Sequence, residues 1–166
     1  MLRKKDEQSE VVKEYIEKHQ EDLYRLAYSY TKNSEDALDV VQESVYKAIV
    51  NADKLKNIQF IKTWMYRIVV NESLNYIKKQ KKYVSDDAVL ESIPYEDKDI
   101  ADSIPVYNAV QQLEPKLRTV IILRFYEDMK LEDIATVTKS NLSTVKTRLY
   151  KSLKVLKDML GTEIRG

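Results

Sequence analysis

The sequence predicts an all-α protein. Three observations carry that expectation. Glycine occurs twice and proline three times in 166 residues, so few residues interrupt a helix. Apolar residues recur every three or four positions rather than alternately. Charged side chains fill the positions between them, as in helices that bury one face and solvate the other.

Composition also excludes functions. There is no cysteine, so disulfides and thiolate metal sites are ruled out and a reducing compartment is expected. His19 is the single histidine and has no companions for a metal site. No glycine precedes residue 161, so no glycine-rich loop can cradle a phosphate. No Cys–His or Ser–His pairing has a credible partner, and the carboxylates sit in no apolar context that would raise their pKa. No enzyme activity, cofactor or metal is expected. MLRKKDEQSE is charged and no apolar run follows it, so no signal peptide is expected. The longest apolar stretches are about four residues, against the ~20 of a membrane span. A soluble cytoplasmic protein without direct membrane insertion is expected.

Charge divides the chain. Residues 1–82 carry 16 basic and 13 acidic residues, 83–105 carry one and seven, and 106–166 carry 11 and seven. Two mildly basic blocks flank an acidic one. The expected organisation is a domain at 1–82, a flexible acidic linker at 83–105 and a second small domain at 106–166.

In order, one long helix is expected over 9–31, where Val12, Tyr15, Ile16, Leu23, Leu26, Ala27 and Tyr30 share a face. Asn33 and Ser34 then offer a turn and N-cap. In the second helix, 34–52, Ala37, Val40, Val41, Val45, Ala48 and Ile49 form the buried stripe. Asp36, Asp39 and Glu43, with Gln42 beside them, stack on another face. That face is either a solvated acidic stripe or a docking surface for a basic partner.

The third helix, 57–82, has Phe60, Ile61, Trp64, Met65 and Ile68 as its core. Ile68, Val69 and Val70 followed by Asn71 are weak helix formers, so a break is expected near 70–73. Lys78, Lys79, Lys81 and Lys82 close it. Aromatics beside lysines are either a platform for unpaired bases or core followed by a charged cap. Residues 83–105 lose the periodicity and hold two of the three prolines, as a tether would.

The second block restarts near Val106 with a short helix that stops before Pro115. A helix over 117–129 follows, with Leu117, Val120, Ile121, Leu123, Arg124 and Phe125. A short helix through Leu131, Ile134, Ala135 and Val137 then leads, by a turn over Thr138 to Asn141, into a last helix ending about Leu160. Asn141 is its expected N-cap.

From Ile134 to Lys157 there are six basic residues and no acidic one. On the last helix Leu142, Val145, Leu149, Leu153 and Leu156 gather on one side. Ser143, Thr147, Tyr150, Lys151 and Lys154 gather opposite, with Lys146 and Arg148 on the flanks. Two helices joined by a tight turn, the second basic, is the pattern of a helix-turn-helix that enters the major groove of DNA. Hydroxyls, lysines and an aromatic suit base edges and thymine methyls.

With these residues in hand, the chain resembles the bacterial RNA polymerase sigma factors of the sigma-70 family, specifically the short extracytoplasmic-function (ECF) group. DALDVVQESVYKA at 36–48 is similar to region 2.2. IKTWMYRIVVNESLNYIKKQKK at 61–82 is similar to regions 2.3 and 2.4. LRTVIILRFYEDMKLEDIA at 117–135 with STVKTRLYKSLKVLK at 143–157 resembles region 4.

The resemblance implies an alternative sigma factor that directs polymerase to promoters and opens the start site. Asp36, Asp39, Gln42 and Glu43 would dock on the β′ clamp helices of core RNA polymerase. The Trp64 helix and the loop after it would read and open the −10 element. Asn71 would hold a flipped base, with Asn75, Lys78 and Lys79 along the DNA. The linker would thread the polymerase's basic channels, and helix 117–129 would meet the β flap. Lys146, Thr147, Tyr150 and Lys151 would face −35 bases, with Ser143 and Thr144 beside them and Arg124 and Arg148 on phosphate. A membrane-anchored anti-sigma factor would hold the protein inactive. The alternatives are a free-standing helix-turn-helix regulator and a helical protein-interaction module. Two departures from the family pattern stand out. Lys139 and Ser140 occupy turn positions that usually hold glycine and an apolar residue. Lys146 stands where arginine is frequent, giving up a bidentate fork.

Overall fold

The computed structural model describes residues 2–87 and 105–161, and every regular element among them is helical. Most of the acidic stretch, and with it the expected tether, lies outside the described residues. The chain divides into two compact units, Met1–Tyr95 and Glu96–Gly166.

The N-terminal unit holds α1 (Leu2–Lys18), α2 (Gln20–Thr31), α3 (Ser34–Val50) and α4 (Ile61–Asp87). The single helix expected over 9–31 is two helices, bent at His19 with φ −119° and ψ 23°. No breaking residue is needed there, because the bend keeps its hydrogen bonds. His19 N–H donates to the Tyr15 carbonyl, and Leu23 N–H to that of His19, both at 3.0 Å. The His19 ring stacks on Tyr15 at 4.2 Å and reaches Asp22 at 3.2 Å. The bend lets α1 pack on α3 and the turn beyond it, while α2 packs between α3 and α4.

Asn33 caps α3, its side-chain oxygen accepting from Asp36 N–H at 2.8 Å. After α3 comes the irregular segment 51–60, with 3-10 turns at Ala52–Lys54 and Ile58–Phe60. Gln8 on α1 ties it down through a 2.7 Å bond to the Leu55 carbonyl.

The break expected near 70–73 is absent, since α4 runs uninterrupted for 27 residues. Val69 and Val70, at 0% and 1% exposed, lie in the core with Met65 and Tyr66. Burying such a side chain is worth about 1.5–3 kcal/mol. That outweighs the helix-propensity deficit of a β-branched residue, about 0.5 kcal/mol. Phe60, expected in the core, is 58% exposed because it ends the 3-10 turn, outside the helical phase of α4. Ile61, Trp64 and Ile68 are half-buried.

The C-terminal unit holds α5 (Pro105–Gln112), α6 (Pro115–Ile121), α7 (Leu131–Thr138) and α8 (Leu142–Leu160). Pro115 begins α6, where its missing N–H costs nothing. The helix expected over 117–129 ends early, widening after Ile121 into a π turn at Ile122–Tyr126. Glu127 N–H reaches the Ile122 carbonyl at 3.0 Å, and Met129 N–H reaches that of Leu123 at 2.9 Å. The turn buries Leu123, Glu127 and Met129 and leaves Phe125 exposed.

α8 buries Val145, Leu149, Ser152, Leu156 and Leu160. Leu153, expected in this stripe, is 41% exposed. The centre of the contact is Ser152, whose hydroxyl lies 2.7 Å from the Arg148 carbonyl and 3.3 Å from that of Leu117. So small a side chain lets α6 approach closely, and Leu153 falls at the edge.

Candidate nucleic-acid interface

α7 and α8 form the expected helix-turn-helix. Lys139 sits in the left-handed region, φ 54° and ψ 39°. Its N–H bonds to the Thr136 carbonyl at 3.3 Å, and Ser140 N–H to that of Ala135 at 2.9 Å. That pair is the Schellman arrangement, here with lysine where glycine is usual. Asn141 caps α8 by accepting from Thr144 N–H at 2.7 Å.

Opposite the buried stripe of α8, Ser143, Lys146, Thr147, Tyr150, Lys151 and Lys154 are exposed on one face. Tyr150 is 69% exposed, a large ring held open to solvent. Thr147 donates its hydroxyl to the Ser143 carbonyl at 3.0 Å, which restrains its rotamer. Thr144 is half-buried beside the cap. The two arginines expected on phosphate are partly engaged within the unit. Arg148 donates to the Ser140 hydroxyl at 3.1 Å, and Arg124 to the Met129 carbonyl at 2.9 Å. Each guanidinium keeps further donors.

In the other unit, about 100° per residue puts Trp64, Asn71, Asn75 and Lys78 on one stripe of α4, with Lys79 at its edge. Asn71, Asn75, Lys78 and Lys79 are exposed, and Trp64 is half-buried. Arg67, which is not among the residues expected on DNA, shares this stripe and is half-exposed. Its signal was available in the register with Asn71 and Lys78. On α3, Asp39, Gln42 and Glu43 are exposed, while Asp36 is half-buried.

The family model for sigma-70 region 2 matches residues 15–83, and that for sigma-70 region 4 matches residues 103–156. The chain belongs to the sigma-70 family. It is 41% identical to the RNA polymerase sigma factor SigV of Bacillus subtilis (strain 168), over 98% of both chains. It is 29% identical to the ECF sigma factor SigW of the same organism, over 87% of this chain and 86% of that one. These place it in the ECF group, whose function is that of an alternative sigma factor in promoter recognition. The sigma factor RpoE of Bartonella quintana, solved in complex with the anti-sigma factor NepR, matches 89% of this chain and 95% of that one. Its TM-score is 0.74 at 25% identity. CnrH, solved with the cytosolic domain of CnrY, shares the fold with a TM-score of 0.64 at 18% identity.

Within this sigma factor's region 2, two polar pairs join α3 to α4. The Tyr76 hydroxyl donates to the Asp36 carboxylate, which also accepts from the Asn33 amide at 2.7 Å. Lys47 pairs with Glu72. Burial first, then the bond to Asp36, raises the Tyr76 phenol well above its usual value. The Glu72 carboxylate holds Lys47 protonated to higher pH than usual, against a smaller cost of burial. On the other flank of α3 lies an apolar groove of about 620 Å³, lined by Ile16, Leu23, Tyr24, Leu38, Val45 and Tyr46. Sequence periodicity gave no sign of it, since Leu38 and Tyr46 lie outside the buried stripe. No group of acids or histidine among the described residues has the arrangement to hold a metal ion.

Proposed function

We propose that region 2 docks on the β′ clamp helices of core RNA polymerase through Asp39, Gln42 and Glu43. Region 4 reads the −35 element through Lys146, Thr147, Tyr150 and Lys151, with Ser143 and Thr144 near the backbone. Arg124 and Arg148 brace the helix-turn-helix and keep donors for phosphate. The −10 element lies along Asn71, Asn75, Lys78 and Lys79. The irregular segment beside the aromatics precedes α4 rather than interrupting it, so strand opening belongs to residues 51–60 together with Trp64. The π turn after α6 faces the β flap, and the acidic linker falls between the end of α4 at Asp87 and the start of α5 at Pro105, shorter at both ends than the 83–105 that composition suggests. The chemistry of RNA synthesis stays with the polymerase, and none is assigned to this chain. No helix of the described residues is long and apolar enough to cross a membrane. The protein acts in the cytoplasm, where a membrane-anchored anti-sigma factor restrains it.

One observation carries this proposal. An exposed acidic face on α3 accompanies a basic helix-turn-helix in the same chain, and a free-standing repressor has no use for the former. Gel filtration with purified core polymerase tests it. Wild-type chain co-elutes with core, and the double variant Asp39→Lys, Glu43→Lys elutes alone. A wild-type chain that never co-elutes refutes the proposal.

A further inference from the structure

Asp36 falls in the same motif as Asp39 and Glu43, but the structure treats it differently. One carboxylate oxygen accepts from both the Tyr76 hydroxyl and the Asn33 amide. Asp39, Gln42 and Glu43 point into solvent. Tyr76 in turn sits next to Asn75 and one half-turn before Lys78, inside the stretch of α4 that carries the DNA-facing stripe. The second pair, Lys47 with Glu72, ties the same two helices about three turns further along α3 and one turn back along α4.

We propose that Asp36 and Tyr76 are positioning residues, forming a clasp that fixes the rotation of the DNA-facing stripe of α4 relative to the polymerase-docking face of α3. The proposal rests on the sigma-factor reading above and refines it, since it takes Asp36 out of the docking surface. Apolar packing between the helices, through Val40, Ala48, Met65 and Val69, keeps them together but is tolerant of rotation. A helix side chain reaches about 5–6 Å from the axis, so a rotation of about 20° displaces its tip by roughly 2 Å. That is enough to spoil hydrogen bonds to bases. Two attachment points at different heights prevent it. Docking on polymerase needs only the exposed face of α3 and is indifferent to the clasp.

The test uses full-length chain with core polymerase and a promoter fragment recovered from genomic DNA by the wild-type holoenzyme. Core affinity is measured by fluorescence titration, strand opening by permanganate-reactive thymines, and folding by circular dichroism. Tyr76→Phe removes one oxygen and keeps the ring. It is expected to hold core affinity within about twofold and to lower open-complex yield by about tenfold, as loss of one half-buried charge-assisted hydrogen bond would. Asp36→Ala, which loses the Asn33 bond as well, should lower opening at least as far, and the double variant should be no worse than Asp36→Ala alone, because the Tyr76 bond is already gone there. Asp36→Asn keeps an acceptor oxygen without the charge and should restore most of the opening. The clasp is refuted if Tyr76→Phe opens DNA as the wild type does. It is also refuted if Asp36→Asn loses core affinity as Asp39→Lys does, which would make Asp36 a charged contact with polymerase. Should Asp36→Ala fail to fold, Tyr76→Phe and Asp36→Asn still decide. A wild-type chain that binds no core is a separate failure, and it is seen before any variant is compared.

Discussion

Lys139 and Ser140 are the residues at which the chain departs from its family's turn, and the structure accommodates both. Lys139 adopts the left-handed conformation that glycine takes elsewhere. Ser140, in place of an apolar residue, receives the Arg148 guanidinium from α8. The left-handed strain costs lysine about 1 kcal/mol, but glycine would cost a similar amount through its freer unfolded state. Lys139→Gly is therefore expected to change stability by less than about 0.5 kcal/mol, whereas Lys139→Ile should lose more than about 1 kcal/mol. Urea denaturation of the two variants measures both. On α8, Lys151→Ala should weaken binding to the −35 element by about 1–3 kcal/mol and relax its sequence preference. Lys154→Ala should instead weaken binding to all sequences and lower the salt slope by about one. Titrations at several salt concentrations separate these outcomes.

At the scale of helices, the sequence was legible wherever periodicity and capping agree. Asn33 and Asn141 announce α3 and α8, and both cap as expected. The bend at His19 was not legible, because its neighbours are ordinary helix formers and the bend arises from α1 and α2 packing on different partners. The opposite error occurred at Ile68, Val69 and Val70, where propensity argued for a break and core burial overrode it. Phe60 differs for a third reason: its position near helical phase predicts burial, and the 3-10 turn places it outside. Its exposure makes a prediction for the segment 51–60. Phe60→Ala should lower the melting temperature far less than loss of a core aromatic would, since more than half of the residue is exposed, should leave core binding unchanged, and should lower permanganate reactivity at the promoter. Of the candidate site, the basic face of α8 was visible in composition alone. The Asp36–Tyr76 clasp joins residues 40 apart, a separation that one sequence cannot show.

For the whole molecule, pH and valency give the remaining expectations. Tyr76 titrates above its ordinary 10.0, and Lys47 above its ordinary 10.5. Burial raises Tyr126 in the C-terminal unit as well. In each case the folded-state value exceeds the unfolded one. The stability they contribute is therefore complete below about pH 10 and is lost as pH rises through the folded-state values. Melting temperatures followed by circular dichroism should be flat through neutral pH and fall above 10, and the fall should be smaller in Tyr76→Phe. Valency follows from two DNA-reading units in one chain. Each alone is expected to bind weakly, and holding both on one polymerase would convert the second contact into an intramolecular one.

Lys32 and Lys139 both end helices in the left-handed conformation, in a chain whose first glycine is residue 161. A glycine at such a point is a pivot, free to swing through conformations closed to other residues. Lysine supplies the same bend without the pivot. The turn between α7 and α8 is consequently expected to show backbone order parameters near the ~0.85 of rigid helices, not the values below ~0.6 of flexible loops. The recognition helix then meets DNA at an angle set before contact, and little motion has to be frozen out when it binds.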